Sequence, residues 1–109
     1  MKRGEIWTVT GGPDYAGKPR PAVIVQSDAF DATASIVVCL LTHIDVDAEP
    51  IRFAVDPSES NGLLHRSFVM IDKISALPTP KVGRCIGQLE APDMRGLAQH
   101  LLVFLGIAD

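Results

Sequence analysis

Pro21-Ala22-Val23-Ile24-Val25-Gln26 and Ser35-Ile36-Val37-Val38-Cys39-Leu40-Leu41 are two short apolar runs rich in β-branched residues. Such runs mark strands buried on both faces, so these two are expected at the centre of a sheet. Working outward, Glu5-Ile6-Trp7-Thr8-Val9-Thr10 alternates polar and apolar, the period of a half-buried strand. Ile51 to Val55 alternates in the same way and stops at Asp56-Pro57, with an Asn61-Gly62 turn signal after it. Ser67 to Ile71 and Val82 to Leu89 complete the set, the second shortened or bulged by Gly83 and Gly87 and preceded by the breakers Pro78 and Pro80. The end differs in kind. Pro92 suits a first helical turn, Asp93 complements the helix N-terminus, and Met94, Leu97, Ala98, Leu101 and Leu105 recur at helical spacing up to Gly106. About six strands and one C-terminal helix predict a mainly β chain: a small, strongly curved antiparallel sheet or barrel with a helix packed on it.

At 109 residues, with 47% hydrophobic and 21% charged residues, the chain is expected to form a single domain, 1–109, rather than a disordered segment. No apolar run approaches the roughly 18 residues that cross a bilayer, and Met1 to Glu5 lead into a strand without an apolar signal region, which predicts a cytoplasmic protein without a membrane partner. Cys39 and Cys85 are too few for a disulfide framework and read as buried thiols. His43, His65 and His100 are scattered, and with these cysteines give no metal-ligand spacing, so no metal is expected. Six aromatic residues cannot supply a long base-stacking platform.

The net charge of −3 offers no global attraction to nucleic acid, yet the charges segregate. Residues 1–27 and 65–88 are net basic, while 28–64 and 89–109 are net acidic. If the two basic segments meet in space, they form a local cationic surface on an acidic protein.

Several residues could carry chemistry there. In Gly17-Lys18-Pro19-Arg20-Pro21 a loop delivers two cations to the start of a buried strand, and prolines stiffen the backbone on both sides of Arg20. A guanidinium fixed in this way matches phosphate oxygens bidentately, although its plainest reading is a surface arginine in a proline-rich turn. Thr42 and His43 follow the central strand directly, displaying a hydroxyl and an imidazole at a rim, or simply forming a turn. Asp72-Lys73 closes the strand 67–71 in the same manner, or forms a charge pair at a strand end. His65 and Arg66 read as solvated loop residues, His100 as exposed opposite the apolar stripe of the helix, and Leu101 to Ile107 as core.

Lys2-Arg3-Gly4-Glu5-Ile6-Trp7, then Gly17-x-x-Arg20-Pro21-Ala22-Val23-Ile24-Val25, an apolar strand ending in Thr42, Asp72-Lys73-Ile74 and a C-terminal helix together resemble the MazF/PemK family of toxin endoribonucleases. The resemblance spans nearly the whole chain, and its most specific part is the opening KRGEIW at the correct distance from RPAVIV. It implies the SH3-like barrel of the CcdB, MazF and PemK proteins, a homodimer, and a cognate antitoxin whose disordered tail wraps the RNA groove. It also implies cofactor-free and metal-independent cleavage of single-stranded RNA at short sequences, leaving a 2′,3′-cyclic phosphate and a 5′-hydroxyl. The family's paired arginine and threonine fall on Arg20 and Thr42, and the aspartate of PemK-like members falls on Asp72, whereas Met70 stands where some members carry a basic residue.

For this chemistry Arg20 suits the charge on a phosphorane and Thr42 a phosphate oxygen, with Asp72 and His43 as candidate bases. Lys18 and Lys73 are expected on backbone phosphates and Tyr15 on a base. The competing reading is a CcdB-like gyrase poison, which shares the architecture but acts through its C-terminal helix on a protein.

Overall fold

The computed structural model describes residues 1–10, 18–44 and 51–109. The glycine-rich stretch 11–17, with Tyr15, lies outside the described residues. Six strands follow in chain order: β1 (Glu5–Val9), β2 (Arg20–Ile24), β3 (Ser35–Thr42), β4 (Arg52–Val55), β5 (Ser67–Pro78) and β6 (Val82–Gln88). They form one antiparallel sheet in the order β4-β5-β3-β2-β1-β6, closed in sequence by helix α1 (Ala91–Phe104). The two β-branched runs are the two middle strands, as their burial on both faces requires.

Each face of the sheet carries its own apolar cluster because side chains alternate along every strand. On one face Ile6, Val23, Cys39, Leu41, Val69 and Ile71 pack with Leu97 and Leu101 of α1. On the other, Val9, Ala22, Ile24, Val38, Leu40 and Met70 gather, with Trp7 against them. Gly96 lets the helix approach closely, since a Cβ there would lie 2.7 Å from the Phe53 ring. His100 shares that seat: Nδ1 is 2.9 Å from the Gly96 carbonyl and the ring meets Phe53 edge-on at 5.0 Å. It is therefore half-buried packing material, not the exposed residue that helical spacing suggests.

The segment between β4 and β5 folds back across the helix-side face to reach β6. Asn61, buried at its centre, accepts at Oδ1 from the backbone N–H groups of Ser58 and Leu63, both at 3.0 Å, and donates to the Asp56 carbonyl at 2.9 Å. The Gln88 N–H donates to the Ser60 carbonyl at 2.8 Å, tying the loop to β6. Gly62 has a φ of +69°, and a Cβ there would collide with the Ile86 carbonyl. The Asn61-Gly62 signal thus marks a seam between distant parts of the chain, where the loop that follows β4 meets β6.

Three expectations differ from the structure in ways that matter. β5 does not end at Ile71 but runs for 12 residues from Ser67 to Pro78, because β3 pairs with its second half from Ser35↔Pro78 to Cys39↔Ile74. Asp72 and Lys73 are therefore mid-strand and not at a strand end. Leu102, Val103, Phe104, Leu105 and Ile107 are exposed, so only the first part of the helical stripe is core. Cys39 is buried, and that burial pushes its thiol up to about 12, but Cys85 is exposed on β6.

Candidate active site

β2 begins and β3 ends at the same edge of the structure. Their pairing runs Ala22↔Leu40, Val23↔Cys39, Ile24↔Val38, and continuing that register sets Arg20 across from Thr42. Both line an open groove of about 650 Å³. The groove also takes His43, and from elements far away in sequence it takes His65, Arg84 and Cys85. Leu41, Leu63 and Ile86 give it apolar walls.

Local chemistry explains how each group is held. Arg20 is half-buried, flanked by Pro19 and Pro21, and paired through its backbone position with Val9 of β1. A guanidinium rooted so firmly loses little rotamer freedom on meeting an anion. Thr42 Oγ1 accepts from the Ile44 N–H at 3.2 Å, a turn contact that fixes the hydroxyl and leaves its proton to be donated. Thr8 Oγ1 accepts from the Arg84 N–H at 3.0 Å, anchoring the backbone beside that second guanidinium. His65 rides on the braced 56–66 loop, where Ser67 Oγ donates to its carbonyl at 2.9 Å.

Two arginines and two imidazoles therefore converge, and among the described residues no carboxylate lines the groove. This is the local cationic surface that the segregated charges allow: Arg20 comes from the first basic segment, and His65 and Arg84 from the third segment. Composition gave no reason to single out Arg84 or Cys85, and His65 read as a solvated loop residue. Only the closure of β6 against the 56–66 loop reveals them.

Other expected residues fall elsewhere. Asp72 does not line the groove. It ion-pairs with Arg52 of β4, whose guanidinium donates to Asp72 Oδ1. Lys18 and Lys73 are exposed outside it, and Tyr15 lies beyond the described residues. Among the described residues no group of three or more His, Cys, Asp or Glu is placed to hold a metal ion.

Residues 2–105 match the family model described as the PemK-like, MazF-like toxin of type II toxin-antitoxin systems. The chain belongs to that family. It is 44% identical to the "Probable endoribonuclease MazF" of Mycolicibacterium smegmatis over 108 residues, which cover 99% of both chains. Its fold is similar to a mycobacterial endoribonuclease solved in complex with its cognate antitoxin, with a TM-score of 0.84, 24% identity and coverage of 100% and 98%. It is also similar to MazF of a Deinococcus radiodurans MazE-MazF complex, with a TM-score of 0.78, 17% identity and coverage of 99% and 97%. Membership in the PemK/MazF family accords with the sequence resemblance. The opening Lys2 to Trp7, its most specific part, is scaffold by contrast: Glu5 Oε1 accepts from the Lys2 N–H at 2.6 Å and from Trp7 Nε1 at 3.1 Å, and none of the six lines the groove.

Proposed function

We propose that this chain is a cytoplasmic, sequence-specific and metal-independent endoribonuclease toxin that acts as a homodimer on single-stranded RNA and is neutralised by a cognate antitoxin. The observation that carries the reading is that Arg20, at the start of β2, and Thr42, at the end of β3, line one groove whose charged described residues are all cations or imidazoles. Family membership and the 44% identical relative named as an endoribonuclease support it.

In this mechanism the RNA's own 2′-hydroxyl attacks the adjacent phosphorus, giving a 2′,3′-cyclic phosphate and releasing the 5′-hydroxyl strand. Negative charge grows on the phosphorane, and Arg20 meets it with a donor fork that stays charged at every working pH. The Thr42 hydroxyl donates to a phosphate oxygen and sets the phosphate's position in the groove. Arg84 takes a neighbouring backbone phosphate. DNA lacks the attacking hydroxyl and is not cut. Because the whole chain carries −3, RNA contacts stay confined to the groove and binding falls steeply with salt.

The gyrase-poison alternative gains one observation, the exposed Leu102 to Leu105 end of α1, which is not the core that the sequence suggests. It does not account for the convergent cations, and the family match is to the PemK-like, MazF-like toxins, with a 44% identical relative named as an endoribonuclease. The deciding experiment incubates the purified chain with a mixed-sequence RNA in EDTA, beside Arg20→Ala, and maps the ends by sequencing with and without cyclic-phosphate removal. Cuts at a short motif, bearing cyclic phosphate and lost in the variant, are expected. Intact RNA from folded wild-type protein overturns the reading.

A further inference from the structure

The groove contains two imidazoles that face each other. His43 and His65 both line it, with ring centroids 5.7 Å apart and planes inclined at 43°. Strand pairing builds this meeting. Thr42 stands opposite Phe68 in the β3–β5 ladder, so the chain leaves the sheet at residue 43 beside the point where it enters at residue 67. One histidine lies just beyond each of these paired ends, on the side where Arg20 sits.

Cleavage needs one group to remove the 2′-hydroxyl proton and another to protonate the leaving 5′-oxygen. A guanidinium does not readily lose a proton, the Thr42 hydroxyl is no base, and Asp72 is outside the groove in its pair with Arg52. Imidazole is the side chain suited to exchanging protons between pH 5 and 8, and two of them in one groove can divide the two transfers. Among the described residues, the other charged or titratable groups around the pair are Arg20 from β2, Arg84 and Cys85 from β6, and Arg66, which lies 3.3 Å from Asp56 and over the Phe68 ring.

We propose that His43 and His65 are the acid–base pair of this ribonuclease, an assignment that rests on the reading above. Neutral imidazole of one takes the O2′ proton as the O2′–P bond forms. Imidazolium of the other gives its proton to O5′ as the P–O5′ bond breaks. The pair ends with its protonation states exchanged, water restores them, and nothing is oxidised or reduced. Both rings are exposed, so they can flank a phosphodiester whose two reacting oxygens lie on opposite sides of phosphorus.

The test measures RNA cleavage against pH for wild type, His43→Ala and His65→Ala, with binding followed on an RNA carrying a 2′-deoxy sugar at the cleavage site. A second substrate carries sulfur in place of the leaving 5′-oxygen, which departs without a proton. Wild type is expected to give a bell-shaped profile. Each variant loses about 10²-fold or more in rate and one limb of the bell, while still binding the uncleavable RNA. The sulfur substrate restores one variant, naming the acid, and leaves the other slow, naming the base. If both variants cut at the wild-type rate with both limbs intact, or if sulfur restores neither, the pair is overturned while cleavage by wild type upholds the ribonuclease reading. RNA left intact by wild type overturns both.

Discussion

Arg20 and Arg52 are both half-buried arginines at the first residue of a strand, and they stand in different surroundings. At β4 the guanidinium of Arg52 is answered by Asp72 from the neighbouring strand, so the charge is neutralised inside the fold. At β2 the surroundings of Arg20 are a hydroxyl, two imidazoles and a second arginine, with no carboxylate among the described residues of the groove. A cation that the protein neutralises itself supports structure. Arg20 instead lines an open groove with other cations and imidazoles, the place where the proposed function has an RNA phosphate bind.

The comparison can be broken most directly at Arg20. Arg20→Ala removes the charge that meets the phosphorane and is expected to slow cleavage by about 10²- to 10³-fold, measured in single-turnover assays, with the melting temperature little changed. A variant that cuts normally would show that the two arginines do not differ in the way argued.

Next in size, Gly62→Ala sets a Cβ against the Ile86 carbonyl at a positive φ. It is expected to destabilise the fold by about 2–4 kcal/mol in urea titration, and to lower cleavage more than melting alone explains, because the loop carrying His65 shifts. At β4, Asp72→Ala strands the half-buried Arg52 guanidinium. A loss of about 1–2 kcal/mol of stability, with cleavage retained at temperatures where the variant is folded, sharpens the contrast. Abolished cleavage in folded Asp72→Ala protein would instead return Asp72 to the catalytic role that its family position suggests.

The smallest effect is at Asp93. Burial, then the nearby Glu90 and Asp56 charges, hold its carboxyl above the ordinary range. A raised folded pKa means that ionisation costs stability at neutral pH, and that this cost disappears as pH falls below the unfolded value. Asp93→Asn is therefore expected to raise the melting temperature slightly at pH 7 and to lose that advantage toward about pH 3. Since α1 lies away from the groove, RNA cleavage should not change.

The fold was largely legible because its signals are local. β-branched runs, alternating segments and the Pro92-to-Gly106 helical pattern depend on neighbours in the chain, and all six strands and the helix lie where those patterns fall. Boundaries failed where pairing overrode them. β5 runs past Asp72 because β3 is there to pair with it, and no feature of Asp72-Lys73 announces a continuing strand. The end of α1 carries the apolar residues of a core helix, yet among the described residues no element covers them.

Half of the site was legible for a similar reason. Arg20 and Thr42 stand beside strongly patterned strands, where a proline bracket and a strand end mark them. His65 and Arg84 carry no local mark. Sequence by itself determined the strands, the helix and the two charged segments that could meet, since propensity and alternation act over a few residues. Tertiary structure alone decided which cations meet, which arginine is neutralised by Asp72, and that two histidines 22 positions apart face one another, because antiparallel pairing and loop closure join residues that the chain keeps far apart.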